Sequence, residues 1–166
     1  ESDTALKSHK NCTVGEGKFL VHWKTVTATF KVAIERYDVW IGNEQFTEET
    51  LTIEGDEGKA TYNPDTNTLT LDNFTYSDTE WGASGIFSGI PLNIVLNGEN
   101  SIDVASYPEF PEDGNVGIFS VCSIAFSGSG SLYINADYYG IISEEDIMFD
   151  GAEVAVDAYD CICAWG

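Results

Sequence analysis

The chain has 166 residues, is 43% hydrophobic, and carries 28 acidic against 7 basic residues, for a net charge of −21. No stretch is long and apolar enough for a membrane span, so we expect a single domain without membrane insertion. All Lys and Arg residues lie at or before position 59, and residues 60–166 contain 17 acids and no base. Because nucleic-acid backbones and anionic membrane surfaces are bound through Lys and Arg, we expect neither as a partner.

Residues 12–34 predict β-strands ahead of the main body. Alternation in KTVTATFKV, at residues 24–32, sends polar and apolar side chains to opposite faces, and Glu35 and Arg36 form a polar break. A stacked repeat architecture needs an end whose outer surface tolerates water. We therefore predict N-terminal cap strands at residues 1–36 and a body at residues 37–166.

A short sequence word recurs four times in the body. It reads GIFS at 85–88, GIFS at 117–120, GIIS at 140–143 and CICA at 161–164, so the intervals are 32, 23 and 21 residues. The copies continue into an aliphatic strand, a Gly turn and a second strand. A period near twenty residues without helical periodicity is typical of units that bury their apolar faces by stacking.

The repeats predict an all-β fold, a single-stranded parallel β-helix (a solenoid) with an N-terminal β cap. The preference for right-handed crossovers predicts a right-handed helix. The expected inward columns are Ile86, Ile118, Ile141 and Ile162 in one and Leu96, Phe126 and Phe149 in another, with Ser88, Ser120 and Ser143 on the same parity as the isoleucines. The alternative is an antiparallel sandwich with accidental spacing.

Three segments of the body resemble a known family. They are YDVWIGNEQFT at 37–47, GKATYNPDTNTLTLDN at 58–73 and LNIVLNG at 92–98. These segments resemble secreted bacterial right-handed parallel β-helix proteins of the cellulose- and pectin-binding type. The resemblance covers about residues 37–166 and implies a calcium-supported protein, extracellular or at the cell surface, that binds plant or host polysaccharide. These segments are turns and strands, so the resemblance implies the fold and no binding residue.

The chain begins at Glu1 rather than Met and carries no charged-then-apolar leader. We expect that a signal peptide was removed or that the sequence was trimmed.

Aromatic residues outside the inward columns are the candidate ligand-binding residues, because sugars stack their C–H faces on aromatic rings. The loop at 106–113 lengthens one repeat, and such loops often carry function. The candidates are Trp81, Tyr107, Phe110, Tyr138 and Tyr139. For any single ring, the alternative is that it covers an end of the core or packs a loop.

The acidic corners between repeats are candidate Ca²⁺ sites, because hard cations prefer carboxylate and carbonyl oxygens. The candidate ligands are Asp137, Glu144, Asp146, Asp157 and Asp160. No EF-hand or nonapeptide calcium motif is present. Solubility alone is the other explanation for the acidity.

Catalysis is not expected. Polysaccharide lyases need a cationic group that residues 60–166 lack, no spacing selects a carboxylate pair for hydrolysis, and His9 and His22 both precede the body. The predicted function is a non-catalytic, extracellular polysaccharide-binding module.

The last repeat is incomplete at Trp165 and Gly166. An unfinished coil exposes strand edges, so we expect either that the protein continues or that another copy covers this end. The alternative function is accordingly a cell-surface adhesin or a self-assembling structural protein that forms a homo-oligomer through its open C-terminal coil.

Overall fold

A computed structural model of the chain describes residues 15–21, 24–30, 34–80, 82, 84–106 and 114–166. The chain divides into two compact units, Glu1–Glu35 and Arg36–Gly166. In the first unit β1 (Gly15–Val21) and β2 (Lys24–Phe30) form an antiparallel pair. That residues 1–36 act as a cap stays a prediction.

The described part of the second unit contains fifteen further strands. In chain order they are β3 (Arg36–Ile41), β4 (Glu44–Thr47), β5 (Thr52–Glu54), β6 (Glu57–Asn63), β7 (Thr68–Ser77), β8 (Ser84–Ser88), β9 (Leu92–Asn97), β10 (Glu99–Asp103), β11 (Val116–Ser120), β12 (Ile124–Gly128), β13 (Ser131–Asn135), β14 (Tyr139–Ser143), β15 (Ile147–Asp150), β16 (Glu153–Asp157) and β17 (Asp160–Ala164).

These strands form two sheets. A nine-stranded sheet has the order β15-β12-β9-β7-β10-β13-β16, with β6 also paired to β7 and β5 to β6. A six-stranded sheet has the order β17-β14-β11-β8-β3-β4. Three successive units of three strands, β8–β10, β11–β13 and β14–β16, pair in parallel with one another, and β17 adds to β14 in parallel.

The expected fold class, a right-handed single-stranded parallel β-helix, is wrong for this chain. Both sheets of the second unit mix parallel and antiparallel pairs, since β3–β4, β3–β8, β5–β6 and β6–β7 are antiparallel. Residues 37–77, for which the repeat pattern predicts coils, instead form consecutive strands that pair antiparallel with one another, and only the last of them, β7, also pairs in parallel with β9 and β10. Gly42, in the turn between β3 and β4, has φ +53°. Positive φ values of this kind are typical of the tight turns of β-hairpins.

Strand β7 is the physical reason that the regular solenoid does not form. Its first half pairs with β9, from Thr68 to Asp72, and its last residues, Thr75 to Ser77, pair with β10. Asn73, between these halves, has φ +49°, which asparagine tolerates better than most residues. One long strand therefore joins two groups of parallel strands into a single sheet.

The predicted inward isoleucine column is confirmed between the repeats. Ile118 lies opposite Ile86 and Ile141, and all three are fully buried. Ile162 lies opposite Ile141 but is 48% exposed. In the second column Phe126 lies opposite Ile94, two residues from the expected Leu96, and Phe149 is 44% exposed.

The three serines of the repeat word lie inward, as their parity predicts. Ser88, Ser120 and Ser143 are fully buried. Ser88 Oγ donates to the carbonyl of Ile90 at 2.7 Å, and Ser120 Oγ and Ser143 Oγ donate to the carbonyl of Cys122 at 2.6 and 2.9 Å. A buried hydroxyl without such a partner would destabilise the fold, so the turn carbonyls explain why serine is tolerated here.

The glycine of the repeat word allows close packing. A Cβ built on Gly117 would clash with Ile134 Cγ2 and with the backbone oxygen of Gly140, and Gly85 and Gly140 have equivalent neighbours in Ile102 and Val156. In the first three copies the first position of the word is therefore glycine because there is no space for a side chain, whereas in the fourth copy this position is Cys161, which is exposed.

We predict that Gly117→Ala lowers the free energy of unfolding by about 1–3 kcal/mol, the usual cost of overpacking a core. Chemical denaturation monitored by circular dichroism measures this change. Glu48→Gln, on the exposed turn after β4, serves as the control and should change stability by less than about 0.5 kcal/mol. Equal stabilities of the two variants would contradict the packing argument.

Candidate functional site

A row of large side chains crosses the outer face of the six-stranded sheet. Because Ile86 and Ile118 point inward, the next residues, Phe87 and Phe119, point outward. Trp40 on β3 lies opposite Phe87, and Phe87 lies opposite Phe119. We call Trp40, Phe87 and Phe119 the outer aromatic row. Ile142 and then Cys163 continue the same line on β14 and β17.

The rings of the outer aromatic row touch edge to face. The ring centroids of Trp40 and Phe87 are 5.3 Å apart at an interplanar angle of 64°, and those of Phe87 and Phe119 are 5.5 Å apart at 69°. Such pairs contribute about 0.5–1.5 kcal/mol beyond the area that they bury. All three rings are only partly buried, so the row is ordered by its own contacts while part of each ring stays accessible to solvent.

A cleft of about 390 Å³ opens at the Trp40 end of the row. We call it the row cleft. Trp40 and Phe87 contribute its aromatic wall, and Asn43, Asp78 and Ser84 contribute an amide, a carboxylate and a hydroxyl. An aromatic wall with a few polar groups is typical of small-molecule and sugar sites.

Tyr76 fixes the position of Asp78 in the row cleft. The Tyr76 hydroxyl donates to Asp78 Oδ2 at 3.2 Å, and the Glu80 amide donates to Asp78 Oδ1 at 2.8 Å. Burial of the phenol, followed by the nearby Asp78 charge, raises the pKa of Tyr76 to about 12. The tyrosine therefore remains a donor over the physiological range, and it packs so tightly on Gly42 that a Cβ there would clash with its hydroxyl.

Two of the five candidate ligand-binding aromatics are brought together in the structure. The Tyr138 and Tyr139 ring centroids are 4.0 Å apart, and the Tyr139 hydroxyl donates to the Tyr138 hydroxyl at 3.1 Å. They lie next to Tyr159, whose ring centroid is 6.3 Å from that of Tyr138. Trp81, Tyr107 and Phe110 lie outside the described residues.

The five candidate calcium ligands lie at two different corners. Asp137, Asp157 and Asp160 occupy the turns and strand ends around the start of β14 and β17, whereas Glu144 and Asp146 lie between β14 and β15. Both carboxylate oxygens of Asp137 accept a hydrogen bond from the backbone N–H of Ser106, at 3.0 and 2.9 Å. Its Oδ2 also accepts a hydrogen bond from the backbone N–H of Asn115 at 3.1 Å. Among the described residues no group of three or more His, Cys, Asp or Glu side chains is arranged to hold a metal ion. Calcium binding stays a prediction.

The outer aromatic row was not predicted from the sequence, although the sequence contains a signal for it. Phe87 and Phe119 occupy the same position of two successive repeat words, one residue after an inward isoleucine. A large aromatic residue repeated at outward parity predicts an exposed platform as strongly as the isoleucines predict a core. Trp40 could not be added to the row from the sequence, because its pairing with Phe87 is antiparallel and lies outside the repeats.

Comparison of the chain with protein-family models, curated proteins and solved structures found no match in any of the three. Among the described residues there is no helix that could span a membrane. We therefore infer the function from the side chains described above.

The tyrosine contacts predict late titration of two phenols. Hydrogen bonding to Tyr138, together with burial, raises the pKa of Tyr139 to about 12, as burial does for Tyr76, against an ordinary value of 10.0. Since the folded state holds the proton more tightly, the stabilisation from these groups is complete below pH 10 and is lost as the pH rises through about 12.

Ultraviolet absorbance of tyrosinate measures this effect. At about pH 11 the folded protein should contain at least about two fewer tyrosinates than the unfolded chain in denaturant, because burial also raises the pKa of Tyr62. Tyr76→Phe and Tyr139→Phe should each remove one late-titrating group. If either variant leaves the late part of the titration curve unchanged, the assignment of that residue is wrong.

Proposed function

We propose that the protein is a non-catalytic polysaccharide-binding module and that the outer aromatic row is its sugar platform. The observation that carries this proposal is the alignment of Trp40, Phe87 and Phe119 on one outer face, beside a cleft with polar groups. Pyranose rings present apolar C–H faces to aromatic rings, while Asn43, Asp78 and Ser84 offer hydrogen bonds to sugar hydroxyls.

The dimensions of the row favour an extended chain. Neighbouring strands in a sheet are about 4.8 Å apart, so three strands span about 10 Å, which is close to the length of a disaccharide in an extended β-linked glycan. Trp40 and Phe119 are each inclined at more than 60° to Phe87. The row therefore offers contacts to about two successive sugars across its three strands.

Charge favours a neutral glycan over an acidic one. Residues 36–166 contain 24 acids and only Arg36 and Lys59 as bases, so an anionic polysaccharide is repelled unless a cation bridges the like charges. The described lining of the row cleft includes one carboxylate, that of Asp78. Because glycoside hydrolysis uses a carboxylate pair, this cleft favours binding without cleavage. Secretion or cell-surface display and calcium support form part of the same proposal.

A glycan array followed by calorimetry tests the platform. The double variant Trp40→Ala/Phe119→Ala should weaken binding of a neutral β-linked oligosaccharide by at least about tenfold, as expected for the loss of aromatic anchors. The control Tyr133→Ala removes an exposed ring from the other sheet and should leave this affinity unchanged.

Tyr138→Ala/Tyr139→Ala tests the other aromatic cluster in the same assay. Unchanged binding by a folded Trp40→Ala/Phe119→Ala protein would reject the row as the platform, and loss of binding in the tyrosine variant would assign the site to that cluster. Addition of Ca²⁺ should leave neutral glycans unaffected and promote binding of pectin.

A second candidate function is self-assembly or adhesion, and the strand edges at β15, β16 and β17 favour it. Among the described residues these three strands each have a sheet partner on one side only. Their exposed apolar side chains are Met148, Phe149 and Ile162, with Trp165 beyond them. Unpaired edges with apolar side chains are sites for added strands, so we propose contact with a second copy as the alternative.

Light scattering at increasing protein concentration tests this alternative. The acids on the edge strands, Asp150, Glu153, Asp157 and Asp160, repel a second copy, so association should strengthen with added salt. Ile162→Asp should reduce association, whereas Tyr133→Ala should not. A monomer at every concentration and salt level would eliminate self-assembly through these edges.

A further inference from the structure

A second cleft lies on the outer face of the nine-stranded sheet, away from the six-stranded sheet that carries the outer aromatic row. Its volume is about 430 Å³, and we call it the polar cleft. The residues that matter for its chemistry are Glu57, Thr75, Glu99, Ser101 and Tyr133. Strand register explains why they meet: Glu57 lies opposite Thr75, Thr75 opposite Ser101, and Ser101 opposite Tyr133.

The bend in β7 creates the polar cleft. The pairing of β7 changes from β9 to β10 around Asn73, and the β6–β7 register shifts between Glu57 and Lys59. These two irregularities bring Glu57 into line with β10 and β13. Bulges and strand bends of this kind re-aim side chains, which is why they occur often beside binding sites.

The floor of the polar cleft is held by a buried amide. Asn100 is 4% exposed, its Oδ1 accepts the Phe74 amide at 2.8 Å, and its Nδ2 donates to the Ser131 carbonyl at 3.0 Å. The Glu57 amide donates to Thr75 Oγ1 at 2.8 Å. A site held by buried hydrogen bonds loses less conformational entropy on binding than a loop does.

The polar cleft offers mainly hydrogen-bond acceptors. Glu57 and Glu99 contribute two exposed carboxylates, and the described lining contains no Lys, Arg or His. Lys59, the nearest base along β6, lies opposite Asp72 instead. Beside these acceptors the Tyr133 ring is 46% exposed. Carboxylates next to an aromatic face attract an ammonium group through charge and through cation–π contact.

We propose that the polar cleft binds a glycan that carries protonated primary amines, such as an oligomer of glucosamine. The ammonium group lies between Glu57 and Glu99, the sugar hydroxyls bond to Thr75 and Ser101, and the apolar face of the sugar packs on Tyr133. The strongly acidic surface raises the local concentration of such a cation. The polar cleft is a separate site, and its occupancy does not depend on the outer aromatic row.

Calorimetry with a fully deacetylated glucosamine oligomer tests the proposal, with the N-acetylated oligomer of the same length as the uncharged control. The deacetylated oligomer should bind at least about tenfold more tightly, the effect expected for charge-assisted hydrogen bonds. Glu57→Gln/Glu99→Gln and Tyr133→Ala should each weaken its binding by about tenfold or more, because a few anchor groups that the ligand covers carry most of the binding energy.

A matched variant separates this site from general charge attraction. Glu48→Gln/Glu49→Gln removes the same charge from the exposed turn after β4 and should retain binding. Because the N-acetylated oligomer is itself a neutral glycan of the kind proposed for the outer aromatic row, both oligomers are also titrated into Trp40→Ala/Phe119→Ala, where the preference for the deacetylated oligomer should persist. Equal weakening by the Glu48/Glu49 pair, equal affinity for the two oligomers in the Trp40→Ala/Phe119→Ala protein, or no binding of the deacetylated oligomer would each overturn the proposal. Failure of neutral glycans to bind the unaltered protein would overturn the outer aromatic row alone.

Discussion

In-register parallel pairing of the three-strand units is the constraint on which the second unit depends. Because Ile86, Ile118 and Ile141 stack directly, every residue one position away must lie on the opposite face. Core and surface are therefore set together by one register. The glycines of the repeat word keep that register, since a side chain on Gly117 would meet both Ile134 and the next strand. The same pairing that buries isoleucines places Phe87 and Phe119 in a line outside.

The same register explains which parts of the structure could be predicted from the sequence. The repeat word is local and periodic, so the inward column of Ile86, Ile118 and Ile141 and the parallel pairing of β8, β11 and β14 followed from it. The predicted column of Leu96, Phe126 and Phe149 was wrong in register at Leu96 and in burial at Phe149. The antiparallel pairing of β3 with β8 and the shared strand β7 could not be predicted, because they join segments without sequence similarity. The Phe87 and Phe119 part of the outer aromatic row could have been predicted from the sequence. The polar cleft could not, because Glu57 and Tyr133 are separated by three strand pairings.

The two clefts share an acidic background but differ in what they add to it. The row cleft has two aromatic rings and one carboxylate, whereas the polar cleft has one aromatic ring and two carboxylates. For the proposed ligands, apolar contact would dominate in the row cleft, whereas charge would dominate in the polar cleft. The two proposed sites would therefore differ in ligand preference through the number of carboxylates near each ring.

Strand β7 also has a consequence for how the molecule opens. It forms hydrogen-bonded pairs with β6, β9 and β10, whereas β15, β16 and β17 each have one neighbour among the described strands. We therefore expect amide protons in β7 to exchange more slowly than those of the terminal strands, which can exchange through local fraying. Asn73 and Thr75, which line the polar cleft, lie in this strand, so this wall of the polar cleft belongs to the most extensively paired strand among those described.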